Sequence, residues 1–375
     1  MFQFKKYDFK HYNVSLVLIV LTLSCIGAFL IRLVQQEGER LFTKQIFGIV
    51  VGMFILLFVS IVDYHFICEF YIVLYIINFL LLLAVRLVGV ELNNSRRWLD
   101  LKFTTIQPSD FSKVIMILVL AKLFTIFREK MDKLHVLLIT GFLMAVPTFL
   151  ILIQTNLSTS LVMMFIFAVM IFAAGLSYKI ILPILIIGIP AVFGLFWYVQ
   201  QDYQVILTQY QQNRVMIFLH PELDTTANLL YQQDNSIQVI GSGKLTGKLL
   251  TEGVESIQSD TFVPISESDF IFSVIGEALG FVGACIIILL FAILIFKCVM
   301  IARNASDYMG MLIAIGVASM LMFQVFVNIG VATSLLPNTG LPLPFVSYGL
   351  SSLTSCMISI GLIINISLQR KKRRG

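Results

Sequence analysis

The chain has 375 residues, of which 58% are hydrophobic and 13% charged, and its mean hydropathy is +0.94. Soluble domains lie near half apolar and a quarter charged, so the composition excludes a soluble enzyme and indicates a polytopic membrane protein. The net charge of +5 comes largely from Lys and Arg flanking the apolar runs, which speaks to membrane orientation and implies no nucleic-acid partner.

Runs long enough to cross a bilayer recur at 14–34, 45–62, 69–88, 110–127, 136–153, 158–176, 180–199, 269–297, 308–335 and 348–367, about ten spans. The first follows Lys5, Lys6 and Lys10 and lacks a small-residue cleavage site, so it is expected to be a retained helix. Those lysines fall on one side with Arg128, Lys130, Lys133, Lys179, Lys297, Arg303 and the tail Arg370, Lys371, Lys372, Arg373 and Arg374. The other side's short loops hold Arg40, Lys44, Arg96, Arg97 and Lys102. Both termini are then cytoplasmic, and the number of spans is even. The expected fold is all-α, one membrane domain over 1–375, with a large extracellular loop at 200–268 between helices seven and eight. That loop is glutamine-rich and is expected to carry short amphipathic helices. Cys25, Cys68, Cys285, Cys298 and Cys356 have no CxxC spacing, which suggests neither disulfides nor a zinc site. His11, His65, His135 and His220 are scattered, so no histidine metal cluster is expected.

The chemically unusual residues fall on the external side. The first group is Arg96-Arg97-Trp98-Leu99-Asp100, suited to lying along the headgroups, followed by Gln107-Pro108-Ser109-Asp110 as a helix start. Lys113 lies one turn inside the fourth span and calls for an acidic partner: Asp110 at i−3, or Asp269 across the bundle. The second group, Gln154-Thr155-Asn156-Leu157-Ser158-Thr159-Ser160, is a polar break that packing and turn formation explain adequately. Gly241-Ser242-Gly243-Lys244-Leu245-Thr246-Gly247-Lys248 looks like a phosphate loop, but its spacing misses GxxxxGK[ST] and no strand precedes it. It reads as a flexible loop, with Lys244 and Lys248 near lipid headgroups.

The long loop ends on Ser266-Glu267-Ser268-Asp269-Phe270-Ile271-Phe272, which places two carboxylates at the lip of the eighth span. Ser266 and Asp269 stand at capping-box spacing, so Asp269 is either a first-turn acid or a functional one: a general base or an Mg²⁺ ligand facing an external cavity. Glu277 follows on nearly the same helical face, about 12 Å deeper. It is balanced between structural hydrogen bonding and function. Finally, the Pro- and Gly-rich stretch from Pro337 to Gly349, which contains Ser347, breaks helix and fits a re-entrant or cavity-lining segment.

In this order the motifs resemble the SEDS family (shape, elongation, division and sporulation), the FtsW/RodA/SpoVE group of bacteria. The matching stretches are Ser95–Leu101, Gln107–Lys113, Ile240–Lys248, Ser268–Phe272 with Ile275–Gly283, Asn328–Thr333 and Leu341–Gly349. The resemblance implies a peptidoglycan glycosyltransferase that polymerises lipid II outside the membrane, in division, elongation or sporulation, with a class B penicillin-binding protein as partner. It also implies that Asp269 is the essential aspartate and Lys113 its partner lysine. Departures mark a divergent member: Asp110 for the usual glutamate, Asn156 for a cavity aspartate, a missing Leu-Pro-Glu opening before Asp269, and Leu350 in place of a glycine.

Lipid II carries its sugar α-linked to a lipid diphosphate, whereas the polymer is β-1,4. Inversion requires a base on the attacking hydroxyl, for which Asp269 is the candidate. Leaving diphosphate requires charge stabilisation, from Arg96, Arg97 and Arg214 or from an Mg²⁺ or Mn²⁺ ion on Asp269. Gln107, Ser109, Asp110, Asn156 and Ser347 are candidate substrate contacts, with Glu277 and Glu267 accessory. Two rivals share these residues: a lipid II flippase, and a non-catalytic scaffold that activates a penicillin-binding protein.

Overall fold

The computed structural model describes residues 7–9, 12–36, 38–92, 95–100, 105–177, scattered positions from 180 to 220, 231–257 and 263–369. The long helices are α1 (Val14–Val34), α2 (Leu41–Ile61), α4 (Tyr71–Val88), α5 (Pro108–Ile126), α6 (Leu134–Ile153) and α7 (Leu157–Ala173). They continue, after a gap in the described residues, with α10 (Ile271–Arg303), α11 (Tyr308–Ala332) and α12 (Leu350–Leu368). A short α3 (Tyr64–Glu69) precedes α4, and α8 (Tyr231–Ser242) and α9 (Lys248–Thr251) belong to the long loop.

Seven of these helices are long and apolar enough to cross a membrane, and α7 is a shorter apolar helix. Most of their ends fall within a few residues of the sequence expectation, but α10 runs on to Arg303, past the expected end at 297. α5 matches the expected fourth span but carries Asp110, Lys113 and Lys122. The expected span at 180–199 lies largely outside the described residues. The described part is helical throughout the bundle.

The 89–109 connection is not all loop. Val90–Leu92, Ser95–Asp100 and Thr105–Ile106 form a three-stranded antiparallel sheet in the order β1-β2-β3. Pairing of Val90 with Trp98 and of Leu99 with Ile106 makes the Arg96-Arg97-Trp98 run its central strand. Runs this short, with no clean alternation, leave little signal in the sequence.

The layering follows hydropathy and polarity together. Of the most apolar window of each helix, 83% is buried in α12 and 72% in α11, against 17% in α4. α11, α12 and α5 therefore form the interior, and α4 faces lipid. Lipid is as apolar as leucine, so inner helices are held by close packing and polar contacts rather than by expulsion of water. Asn365 shows the mode: its Nδ2 donates to the Ser60 carbonyl at 2.8 Å, while its Oδ1 accepts from the Tyr64 N–H at 3.1 Å.

α10 is the exception to straight geometry. Its 33 residues would span about 50 Å, well beyond a hydrocarbon core of about 30 Å. It breaks at Gly280, where φ is 67° and ψ −171°. The break would strand backbone donors at membrane depth, but the Gly-rich loop satisfies them. Phe281 N–H donates to the Lys244 carbonyl at 2.9 Å, and Val282 N–H to that of Leu245 at 3.1 Å. A Cβ at Gly247 would stand 2.2 Å from the Ala278 carbonyl oxygen, which explains the glycines. The loop expected to be flexible is therefore docked, and Lys248 is not at the headgroups: it is 4% exposed.

Candidate active site

Asp269 stands just outside α10. The helix begins at Ile271 with Phe270 as N-cap, and no side chain caps it, so the first-turn and capping-box reading of Asp269 fails. The segment 264–270 is instead a run of turns. Ser268 Oγ donates to Asp269 Oδ1 at 3.1 Å. Gly340 approaches from the other side: its φ is +69°, and a Cβ there would lie 3.0 Å from Asp269 Oδ2. The Asp269 carboxylate thus sits half-buried between two irregular strips of backbone.

Those strips are 264–270 and 337–349, and they are stitched together. Tyr348 N–H donates to the Glu267 carbonyl at 2.8 Å. Ser347 Oγ donates to the Ser268 carbonyl and accepts from Leu343 N–H. Asn328, buried in α11, donates through Nδ2 to the carbonyls of both Asp269, at 2.9 Å, and Leu341, at 2.7 Å. The Pro337–Gly349 segment is irregular backbone, as its prolines and glycines imply, and its Leu341, Leu343, Phe345 and Val346 are buried. Ser347 is a structural tie within it. Asn328 had no role assigned from sequence, although a buried amide inside an apolar helix is itself a signal.

Pro108 opens α5 at N1, as expected, with Gln107 as N-cap. Gln107 N–H donates to Ser351 Oγ and its amide to Ser109 Oγ, so this corner is tied to α12. Lys113 is fully buried and its Nζ lies 2.8 Å from Asp110 Oδ1. Of the two partners open to it in sequence, the structure shows the ion pair with Asp110.

Asn156 caps α7, accepting from Thr159 N–H at 3.2 Å. An amide caps as well as a carboxylate, so at this position the departure from the family pattern preserves the helix start. The whole polar break behaves as a packed turn: Ser158 donates to the Thr339 carbonyl, and Gln154 to that of Leu82. Arg97 Nη2 donates to the Thr155 carbonyl at 2.6 Å, anchoring β2 to this turn. Arg96 is exposed on the same strand. Arg214 lies outside the described residues.

Electrostatics around the mouth are acidic. Burial pushes the Glu267 carboxyl above its usual range, and the negative charges of Glu39 and Asp269 add to the effect. Glu277 is buried eight residues beyond Asp269, and its Oε1 lies 3.0 Å from Lys248 Nζ. That pair ties the docked loop to the N-terminal piece of α10. Glu277 is thereby placed in a structural bond rather than at the mouth.

At the basic end of the bundle the structure shows a group that sequence reasoning passed over. His65 sits between Asp63 Oδ1, 2.8 Å from Nδ1, and Asp307 Oδ2, 3.3 Å from Nε2. Its bond to Asp307 lifts the imidazole above its ordinary pKa against partial burial. Burial raises Asp307, but hydrogen bonds from His65 and Tyr64 outweigh it and hold the carboxyl low. Tyr64 and Asp307 are 243 positions apart in sequence, so spacing could not have joined Asp307 to the 63–65 run.

Known proteins resemble this chain along nearly its whole length. A family model described as "Cell cycle protein", FtsW/RodA/SpoVE, matches residues 9–372. Stage V sporulation protein E of Bacillus subtilis is 33% identical over 366 residues, covering 95% of this chain and 96% of the relative. Peptidoglycan glycosyltransferase MrdB of Escherichia coli is 31% identical over 367 residues, covering 97% and 96%. A chain from a peptidoglycan synthase complex, reported for coordination of polymerization and crosslinking, superposes with a TM-score of 0.77 at 26% identity, covering 95% of this chain and 97% of that one. A variant of the rod shape determining protein RodA of Thermus thermophilus gives 0.70 at 25% identity, covering 98% and 99%. The chain is a multi-pass protein of the cytoplasmic membrane and belongs to the FtsW/RodA/SpoVE family.

Proposed function

We propose that the chain is a peptidoglycan glycosyltransferase that polymerises lipid II at the outer face of the membrane, with Asp269 as the group that activates the attacking hydroxyl. The observation that carries this is the position of Asp269. It is held at the bundle mouth by Ser268 and Gly340, outside α10 and relieved of any capping duty. A flippase needs a polar path through the membrane, whereas the irregular backbone and hydroxyl ties gather at one end. The relatives named as glycosyltransferases and the synthase-complex neighbour support the same reading, with a class B penicillin-binding protein as the crosslinking partner.

In this reaction the base takes the proton of the 4-hydroxyl as its oxygen attacks the anomeric carbon, and the lipid diphosphate leaves with inversion. Asp269 supplies the base. Lys113, buried and paired with Asp110, is the lysine assigned to the reaction beside Asp269. Arg96 and Arg97 on β2 offer external cations for the diphosphate.

No group of three or more His, Cys, Asp or Glu that could hold a metal occurs among the described residues. Mg²⁺ commonly needs one or two carboxylates plus substrate phosphates, so the site fits an ion shared between Asp269 and the diphosphate. Such an ion would neutralise leaving-group charge.

The test is lipid II polymerisation by purified protein, with and without a class B partner, and with Mg²⁺, Mn²⁺ or chelator. Asp269→Ala should lower turnover by at least about 10²-fold with an unchanged melting temperature. Normal glycan from that variant would remove both the base and the metal role. Translocation of lipid II in vesicles without polymer would establish the flippase instead.

A further inference from the structure

At the basic end, far from Asp269, the surface carries a second feature with no place in the polymerase reading. A cleft of about 330 Å³ opens between the start of α1, the last turns of α10 and the end of α12. We propose that this cleft binds an anionic glycerophospholipid of the cytoplasmic leaflet, with Lys297 contacting the headgroup phosphate.

The cleft is sorted by depth. Asn13, the N-cap of α1, Asn304, the C-cap of α10, and Ser367, in the last turn of α12, are polar lining groups at the helix ends. Lys297 lies six residues inward of Arg303, about 9 Å toward the bilayer centre. Ile293 is a further turn in. Phe296, Ile293 and Met300 are 64%, 37% and 36% exposed on a membrane-crossing helix, so the outer wall of the cleft is open to lipid rather than to water. A headgroup at the helix ends with its first acyl carbons along Phe296 and Ile293 matches this gradient.

The charge argues for an anion. Lys297 Nζ donates to Ser15 Oγ at 3.0 Å, a neutral partner that consumes one of three ammonium donors. Among the described residues, no carboxylate forms an ion pair with it. A cation below the helix ends is costly unless it meets protein, water or an opposite charge. Snorkelling would carry the amine outward along the surface; here the bond to Ser15, in the first turn of α1, holds it across the cleft between two helices. Basic pockets between membrane helices on the cytoplasmic side are a general mode of anionic headgroup binding. A free phosphate would leave the apolar wall unused, and a peptide partner would have to enter from lipid.

The test uses full-length protein in phosphatidylcholine vesicles doped with a photoactivatable phosphatidylglycerol or the matching phosphatidylcholine. Adducts are mapped by peptide mass spectrometry, which separates this cleft from the basic C-terminal tail. Residues 293–304 should be labelled about fivefold more by the anionic probe. Lys297→Gln should erase that preference, and Lys297→Arg should keep it. Lipid II polymerisation in pure phosphatidylcholine should be unchanged in both variants, which also reports that they fold. Equal labelling by the two probes in the wild type overturns the proposal, as does undiminished preference in Lys297→Gln. Loss of labelling on adding millimolar glycerol phosphate would make the site one for free phosphate and overturn the lipid assignment.

Discussion

Among the described residues two lysine–carboxylate pairs are buried, and they differ in kind. Lys113 and Asp110 are three residues apart on one helix, 2.8 Å between charged atoms. Lys248 and Glu277 are 29 residues apart and join a loop to a helix at 3.0 Å. The first pair needs no tertiary structure beyond α5 to form. It therefore contributes little to holding the fold, and the proposed reaction is the duty that would account for it. The second pair exists because the Gly-rich loop docks at the α10 break, and it fastens the N-terminal piece of α10, from which the Asp269 segment projects. A buried ion pair is weak proof of stability in itself, because desolvation opposes the attraction. What each pair connects is the better guide to what it does.

Four substitutions sharpen or break this contrast. Lys113→Ala should have the largest effect on activity, lowering polymerisation per folded molecule by about 10²-fold or more. Near-normal turnover would take Lys113 out of the reaction and leave the two pairs alike. Lys248→Met should cost about 3–5 kcal/mol, because it strands the Glu277 carboxylate in the interior. The double change with Glu277→Leu should recover most of that loss in thermal unfolding in detergent, and failure to recover would mean that Glu277 has a duty of its own. Gly280→Ala should cost about 1–2 kcal/mol for the left-handed backbone alone. The clash of its Cβ, 2.4 Å from Gly247 N, adds to that figure, and an unaltered melting temperature would show that the loop is not docked as described.

The smallest effect belongs to Glu267, and its sign is set by pH. Its folded pKa is raised from 4.5 by burial and then by the Glu39 and Asp269 charges. The protonated carboxyl is therefore favoured in the folded state. That contribution is complete below the ordinary value and is lost as pH rises through the raised one. At pH 7 the ionised group is a net cost, so Glu267→Gln should raise the melting temperature slightly at neutral pH and leave it unchanged near pH 4. A lower melting temperature at pH 7 would contradict the raised pKa.

The sequence was legible where information is local. Helix ends followed from hydropathy, the start of α5 from Pro108, the irregular stretch from Pro337 to Gly349 from its prolines and glycines, and the Lys113–Asp110 option from i,i+3 spacing. It misled where one local pattern has two physical uses. Ser266 and Asp269 have capping-box spacing, yet the helix starts after both. The Gly-rich run resembles a flexible loop, yet its glycines admit the backbone of a broken helix.

By itself, then, the sequence indicated a multi-pass membrane protein and its family, and it singled out Asp269. Composition, basic flanks and ordered motifs are properties of the chain that no packing can alter. Tertiary structure alone decided that Lys248 meets Glu277, and that Asn328 clamps Asp269 to Leu341. It also set His65 between Asp63 and Asp307 and opened the cleft at Lys297. The decisive ones, Lys248 with Glu277, Asn328 with Asp269 and His65 with Asp307, join residues tens to hundreds of positions apart. They arise from how helices pack, and in lipid the packing is chosen by close fit and polar contacts rather than by apolar burial that a sequence pattern displays.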